Sequence, residues 1–564
     1  MYKNHSTSSE KTDNEKWFSA KNSLVILTLI SIAGFLIRVN YFPLEVPFDQ
    51  DVLDYFGYAV KTSNFGHLLD DWFIANNGWS IFLSLFFSLM TDNSFFDHVY
   101  AQRILAMIIS TVTIIPVYFL CKEFFSKKIA LIGAALFIFN PYIIKYSIAA
   151  GTDVIFTFIA ACMVYSVLKK EQKFIYVQFL LCGIISLIRY EGLILLIPLT
   201  FLFFLKNKKN YGNVKHYFLA VLLFIIIILP ITVFEYQNFE HDGLVSAYYS
   251  QFDFQWWLIH GFLENDNAVI IENFSKLIPE DEKISTYLDE NGKMIDRTEK
   301  DLISNNLFEI VAGKGIENNF KLFAISLFPI FLILIPYGIY AIFKEKDFKK
   351  IAIILMTATF AVPAIYAFFR DFQDVKYVLV LFPIFSLLSL FIIEKIEKKN
   401  FNIKILYVII ITILLSSTLF IMELEKIETL HNKESFIIAE KVIELTDGYN
   451  IYPDESRFIK AAEMKRDWPT IPQNDENGHL ILQANRVYYS GFNSLEEFLE
   501  YSEDKGLTHL IIDGDDERPI FLNEIFLNEK RYDFLKKIYD SIDYELDYHV
   551  KIFEIDYVVF NKID

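Results

Sequence analysis

Gly78-Trp-Ser-Ile-Phe-Leu-Ser-Leu-Phe-Phe-Ser-Leu-Met90 is an apolar run, and whether it crosses a membrane decides how the whole chain is threaded. As a helix it would reach roughly 20 Å, against a hydrocarbon core of about 30 Å. Eleven other apolar runs surround it, at about 24–42, 103–121, 129–148, 154–168, 174–188, 192–205, 217–235, 320–343, 351–369, 377–393 and 403–422. With 54% hydrophobic residues, 57 Phe and 32 Tyr in 564 positions, the chain reads as a polytopic membrane protein.

Charge settles the threading. If 78–90 does not span and the N-terminus is cytoplasmic, the short loops 122–128, 169–173, 206–216, 344–350 and 394–404 are all cytoplasmic and hold 18 lysines. The opposite short loops hold only Lys61, Arg103, Arg189, Arg370 and Lys376. Such an asymmetry fits the excess of Lys and Arg found in cytoplasmic loops. Letting 78–90 span would turn all 18 lysines outward. The segment is therefore expected to be re-entrant or interfacial on the outer side.

Parity then gives a cytoplasmic tail at 1–22, a transmembrane module at 23–422 with outer loops 43–102 and 236–319, and an extracytoplasmic domain at 423–564. The first run, Leu24 to Phe42, is long for a cleaved leader and reads as a retained anchor. Loop 236–319 carries 16 acids against 6 bases, and the tail 32 against 16, so the net charge of −18 lies on the outer parts. Nucleic acid is an unsuitable partner for such a chain. Cys121, Cys162 and Cys182 lie in or beside apolar runs and imply no disulfide framework. In the tail, Ser494-Leu-Glu-Glu497 is a capping-box pattern opening a helix at 495–503. Leu510–Asp513 and the alternating run 549–560 read as strands, so a small α/β domain is expected.

Charged residues that face outward gather in a few turns. Pro47-Phe-Asp49-Gln-Asp51-Val-Leu-Asp54-Tyr55 places three carboxylates just beyond the first span. A carboxylate at a membrane surface can act as a general base, and a D-x-D pair can hold a divalent metal through its oxygens. Asp153 stands in the next outward turn, after Asn140-Pro-Tyr142 and Gly151-Thr152. The outward bases are Arg103, Arg189 in Arg189-Tyr-Glu191-Gly192, and Arg370 and Lys376 in Arg370-Asp-Phe-Gln-Asp-Val-Lys-Tyr377. Cations at a membrane edge match a phosphate headgroup, Arg binding two oxygens and Lys acting as a point charge. Trp256-Trp257 reads as an interfacial aromatic pair, His260 as structural, and Asn273-Phe-Ser275 is an acceptor sequon. No G-x-x-x-x-G-K-[ST], H-E-x-x-H or C-x-x-C occurs. A transporter would place ionisable groups near mid-membrane, whereas here they fall at span ends.

On these motifs the chain resembles the GT-C glycosyltransferases, closest to the protein O-mannosyltransferase and aminoarabinose-transferase branch, in particular archaeal-type members with a C-terminal soluble domain. The resemblance covers about residues 20–395. Asp51-Val-Leu-Asp-Tyr55 keeps the Asp and Tyr of the family's D-E-x-x-Y pattern, with Val52 in place of Glu. Arg103 to Phe125 resembles its second span, Asn140 to Asp153 its second acidic turn, and Lys376-Tyr377 with Pro383 its late R-Y turn. Trp256-Trp257 is followed by Leu-Ile-His260, a departure from the W-W-D-Y-G of oligosaccharyltransferases.

The resemblance implies an α-helical polytopic GT-C-like protein of about 11 transmembrane helices with the α/β domain outside. It implies transfer of a sugar from a polyprenyl-phosphate donor to an extracytoplasmic acceptor (protein, lipid or glycan) with inversion. Asp51 is the expected base, with Asp49 and Asp153 as catalytic companions. Tyr55, Arg103, Arg189, Glu191, Arg370, Lys376 and Tyr377 are expected around the lipid phosphate and sugar. Asp49, Asp51 and Asp153 are candidate ligands for Mg or Mn, no cofactor being otherwise required. Membrane lipids are expected partners. En bloc glycan transfer and a non-enzymatic transporter are the alternative readings.

Overall fold

The computed structural model describes residues 20–48, 50–90, 94–207, 214–239, 315–327, 329–344, 347–369, 374–399, 403–446, 458–468, 494–514 and 519–562, with short pieces at 244, 284–288, 294–298, 449–451, 485–486 and 492. Asp49, Arg370, Trp256, Trp257, His260 and the sequon at Asn273 lie outside the described residues.

The eleven apolar runs all fold as helix, though not as eleven uniform rods. The helices are α1 Ala20–Asn40, α2 Gln50–Phe65, α3 Gly78–Phe87, α4 Phe95–Val112, α5 Ile114–Lys122, α6 Lys127–Ile138, α7 Pro141–Ala149, α8 Thr152–Val167, α9 Phe174–Ile188, α10 Leu196–Lys206 and α11 Val214–Phe239. They continue with α12 Gly315–Leu327, α13 Ile330–Lys344, α14 Phe348–Phe369, α15 Phe382–Lys398 and α16 Ile403–Leu445. Among the described residues, six helices, taking α4–α5 and α15 with its leading turn as single spans, are long and apolar enough to cross a bilayer. Counting each bent pair as one span gives up to eight. The remaining apolar runs are short: α8 has 16 residues and α9 has 15.

Local chemistry explains the breaks. The run 129–148 bends by 50° between α6 and α7, where the Asn140 side chain caps the amides of Tyr142 and Ile143 and Pro141 takes the first helical position. An N-cap followed by Pro starts a new helix rather than continuing the old one. Buried Arg38 of α1 closes over this break, donating to Ile138 O, Gly34 O, Ser110 Oγ and Ser147 Oγ. α13 and α15 approach so closely that a Cβ on Gly338 would lie 2.2 Å from Leu388 O. Gly338→Val must therefore push the two helices apart. We expect a loss of about 1–3 kcal/mol or more, the usual cost of overpacking, seen as a lower melting temperature in detergent.

The decisive segment 78–90 forms α3, of 10 residues, or about 15 Å. Trp79, Leu83 and Phe87 are buried, while Leu85 and Leu89 are exposed. Gly78 lies against the Leu187 carbonyl at the end of α9. So α3 is a short helix lying on α2 and α9, as its length requires.

The lysine-rich turns gather at one end of the bundle. Glu123 pairs with Lys169 at 2.6 Å and Lys349 at 2.7 Å, and Lys128 pairs with Glu397 at 3.1 Å. At the other end α16 does not stop near 423 but runs on, 43 residues in all, about 65 Å. Residues 403–445 contain no Gly or Pro to end it. The expected domain boundary at 423 thus falls inside a continuous helix.

Beyond α16 lie α17 Ile459–Arg466, α18 Leu495–Glu503, α19 Ile520–Leu527 and a five-stranded mixed sheet. Numbering β1 Ile284–Leu288 and β2 Met294–Thr298, which pair as a separate hairpin, the sheet strands are β3 Tyr449–Ile451, β4 Asn485–Arg486, β5 Leu507–Asp513, β6 Leu535–Asp540 and β7 Val550–Ile555. Their order is β4-β3-β5-β7-β6. β5 pairs parallel with β3 and antiparallel with β7. The Ser494 hydroxyl caps Glu497 N at 3.2 Å, as the sequence pattern requires. Side chains alternate along a strand, and here both faces are buried. Leu510, Ile512 and Phe553 join a core with α18 and α19. Ile511, Val550 and Ile552 join a different one, shared with α2, α3, α4, α16 and α17. The C-terminal domain is therefore packed onto the membrane module rather than tethered to it.

Candidate functional site

The short turns opposite the lysine-rich end converge on a cavity of about 720 Å³. Asp51 and Tyr55 reach it from α2, Tyr146 from α7, and Asp153 from the first turn of α8. Arg189, Tyr190 and Glu191 come from the 3₁₀ turn after α9, and Asp374, Lys376 and Tyr377 from the turn before α15.

Two ion-pair systems organise the walls. Arg189 Nη1 donates to Asp153 Oδ1 at 2.5 Å and Nη2 to Glu191 Oε1 at 2.8 Å. Burial opposes the charge of this guanidinium, but Glu191 and Asp153 more than offset that and hold it protonated well above its ordinary range. Its face also lies over Phe156 and Tyr377. The second system is centred on Lys376, whose Nζ is 3.5 Å from Asp51 Oδ2 and 3.5 Å from Asp374 Oδ2. Asp374 caps its own 3₁₀ turn by accepting from Lys376 N at 2.8 Å, and it also accepts from the Tyr146 hydroxyl.

Accessibility separates the two acids named as base and companion. The Asp51 side chain is 76% exposed, whereas that of Asp153 is 13% exposed and occupied by Arg189. Asp51 is open to an incoming molecule and Asp153 is part of the wall. The polar cavity adjoins a narrower cleft that shares Asp153, Arg189, Lys376 and Tyr377 with it. Phe156, Leu195, Phe360, Pro363 and Leu379 make that cleft apolar, between α8, α14 and the 3₁₀ turns 190–195 and 375–381.

The cavity brings together Asp51, Tyr55, Asp153, Arg189, Glu191, Lys376 and Tyr377. Arg103 does not line it. Its guanidinium is buried beneath the chain leaving α1, donating to Val46 O at 2.6 Å and Pro47 O at 3.0 Å and stacking on Phe48. Being an outward base near a helix start, it read as a phosphate ligand in the sequence. The carbonyls it satisfies instead fix the approach to α2 and so to Asp51. Of the three carboxylates expected to hold a divalent cation, Asp49 lies outside the described residues. No cluster of three or more Asp, Glu, His or Cys suited to a metal occurs among them, Asp153 is taken by Arg189, and Asp51 faces Lys376.

Four polar wall residues were not singled out in the sequence: Asn76, Tyr146, Tyr190 and Asp374. Asp374 had a local signal, an Asp placed to cap the helical turn that carries Lys376. Asn76 has a left-handed backbone, φ 66°, and accepts from Tyr190 N at 2.6 Å. Ala150, beside the cavity at φ 63°, is likewise left-handed, its carbonyl held by Gln102. Non-glycine residues in this region are strained and tend to cluster at functional sites.

The C-terminal domain reaches the site through α2. Lys460 of α17 pairs with Asp54, one helical turn from Asp51, and Trp468 stacks on Phe56. We expect Lys460→Glu to lower the turnover number about tenfold by shifting α2. The swapped pair Asp54→Lys/Lys460→Glu should recover most of the loss in a steady-state transfer assay.

Residues 79–234 match the family described as dolichyl-phosphate-mannose-protein mannosyltransferase. No curated protein matches the chain in sequence. Among solved structures, the fold is similar to the oligosaccharyltransferase AglB from Archaeoglobus fulgidus in complex with an inhibitory peptide and a dolichol-phosphate. That match has TM-score 0.50 and 13% identity, over 88% of this chain and 70% of that one. A complex of the same oligosaccharyltransferase with Zn and sulfate matches at TM-score 0.50 and 15% identity, over 86% and 68%. ArnT from Cupriavidus metallidurans bound to undecaprenyl phosphate aligns over 95% of this chain and 98% of its own, at 10% identity and TM-score 0.46. From α3 to α11 the chain is thus similar to a family of dolichyl-phosphate-mannose-protein mannosyltransferases, and its overall fold is similar to that of an oligosaccharyltransferase.

Proposed function

We propose that the enzyme moves a single sugar from a polyprenyl-phosphate donor to a hydroxyl or amide acceptor on the extracytoplasmic side. The observation that carries this is the junction of the two cavities. An accessible carboxylate, Asp51, faces the ammonium of Lys376 where a polar cavity meets an apolar cleft. The cleft suits a prenyl chain, Lys376 suits its phosphate, and the polar cavity suits the sugar and acceptor. Asp51 takes the acceptor proton as the acceptor oxygen or nitrogen bonds to the anomeric carbon. The bond from that carbon to the phosphate oxygen breaks, and the lipid phosphate leaves with its new negative charge beside Lys376. Phosphate needs little help from an acid to leave, so one base suffices, and attack from the opposite face inverts the anomeric centre. Arg189 and Asp153 hold the wall, and the eighteen cytoplasmic lysines orient the cavity outward.

The fold likeness to an oligosaccharyltransferase favours a second reading, en bloc transfer of a glycan to an Asn-bearing peptide. The matched family segment favours the first. Proteoliposomes supplied separately with polyprenyl-monophosphate sugars and a polyprenyl-pyrophosphate oligosaccharide decide between them. The first reading requires turnover of a monophosphate donor with an inverted product by NMR. Turnover of the pyrophosphate donor alone, or retention, would overturn it.

A further inference from the structure

We propose that the lysine-rich end of the bundle holds the headgroup phosphate of an anionic phospholipid, in a pocket separate from the catalytic cavity. A pocket of about 140 Å³ opens where the end of α8, the start of α9, the end of α10 and the start of α14 meet. Lys170, Gln172 and Lys206 stand on its wall over an apolar floor that includes Val167, Phe203 and Phe348.

The one acid within charge range of Lys206 is Glu171, which is exposed to solvent. Gln172 Nε2 is buried and has no hydrogen-bond partner among the described residues. A buried amide donor without an acceptor is costly, so the site is built for an acceptor that the protein does not supply. The neighbouring cations Lys169 and Lys349 are already matched by Glu123. Lys206 Nζ donates to the Lys169 carbonyl at 2.6 Å, which closes the end of α8 and leaves two more protons for a ligand. Among the described residues Lys170 makes no ion pair, and the adjacent acid, Glu171, is exposed. The first turns of α9 and α14 add their positive ends. Two ammonium groups, an amide N–H and two helix starts suit a phosphate diester.

Position selects a lipid over a soluble anion. Asp153 stands in the first turn of α8 and Val167 of the pocket at its end, and its 16 residues rise about 24 Å, close to the thickness of a hydrocarbon core. The pocket therefore lies at the opposite interface from the catalytic cavity. On the lysine asymmetry that is the cytoplasmic leaflet, where basic pockets between spans take anionic headgroups. α8 and α14 each line both this pocket and the apolar cleft by Lys376.

The test uses the full chain in nanodiscs of phosphatidylcholine doped with phosphatidylglycerol, with bound lipid counted by native mass spectrometry. Lys170→Gln/Gln172→Leu/Lys206→Gln should lower retained phosphatidylglycerol at least fivefold, with transfer in pure phosphatidylcholine unchanged. A control losing two lysines elsewhere at that end, Lys127→Gln/Lys398→Gln, should keep wild-type retention. Equal retention in wild type and the triple variant overturns the proposal, as does an equal loss in the control. Displacement of the lipid by millimolar inorganic phosphate would also overturn it, in favour of a soluble anion. Lipid retention is read without turnover, so its failure is separate from failure of the proposed transfer reaction.

Discussion

Replacing Asp51 by Asn is expected to reduce the turnover number by about 10²–10⁴, the span usual for loss of a positioned general base. The change keeps size and removes only the proton-accepting charge. Asp51 is largely exposed at the start of α2, so folding should survive. Donor binding should weaken little or even tighten, because removing the carboxylate frees Lys376 for the lipid phosphate. The discriminating measurement is a split: turnover falls while the donor KM stays within a few-fold. Asp153→Asn should behave differently. It leaves the buried Arg189 with one carboxylate fewer, and removing one member of a buried pair typically costs about 3–5 kcal/mol. Its loss should appear as a lower melting temperature. If Asp51→Asn retains wild-type turnover with saturating donor and acceptor, the base is elsewhere.

Much of this architecture was legible because membranes impose simple rules. Apolar length gave the helices, and lysine count fixed which turns share an end. Both depend only on composition along the chain, so no tertiary knowledge was needed. The same count kept 78–90 from spanning, and α3 is a short helix packed on its neighbours. Interruptions within an apolar run were less visible. The 3₁₀ turns 190–195 and 375–381 interrupt or precede apolar helices, yet they carry Arg189, Glu191, Lys376 and Tyr377 into the cavity. Hydropathy alone does not separate such a turn from the helix that follows.

The site was legible as a set of outward charges but not as a set of roles. Arg103, Arg189 and Lys376 look alike in sequence, each an outward base near a helix start. Their partners differ: backbone carbonyls for Arg103, two carboxylates for Arg189, and the acids Asp51 and Asp374 for Lys376. Those partners lie 36 to 325 residues away in the case of Asp153 with Arg189 and Asp51 with Lys376, so only the fold reveals them. The continuity of α16 into the C-terminal domain was missed for another reason. Residues 423–445 are rich in acids and bases and read as the start of a domain, although nothing in them breaks a helix.

Lys376→Met is expected to lower kcat/KM for the polyprenyl-phosphate donor by about 10²–10³, the loss typical when one group stabilising transition-state charge is removed. Methionine keeps the length and the apolar stem and deletes the ammonium. Because the phosphate gains charge as the sugar leaves, the effect should fall on kcat as well as on KM. Lys376→Arg keeps the charge but changes its shape, and a planar fork cannot replace a point charge between Asp51 and Asp374 without moving one of them. Partial recovery, to within about tenfold of wild type, is therefore expected for Arg. Asp374→Asn supplies the positioning control, since it loosens the cap on Lys376 N and the Tyr146 contact without removing the cation. It should cost less than Lys376→Met and be roughly additive with nothing, because the two act as one unit. A double variant no worse than Lys376→Met alone would establish that Asp374 works through the lysine. Equal losses for donors with and without a charged phosphate linkage would remove Lys376 from the leaving-group role.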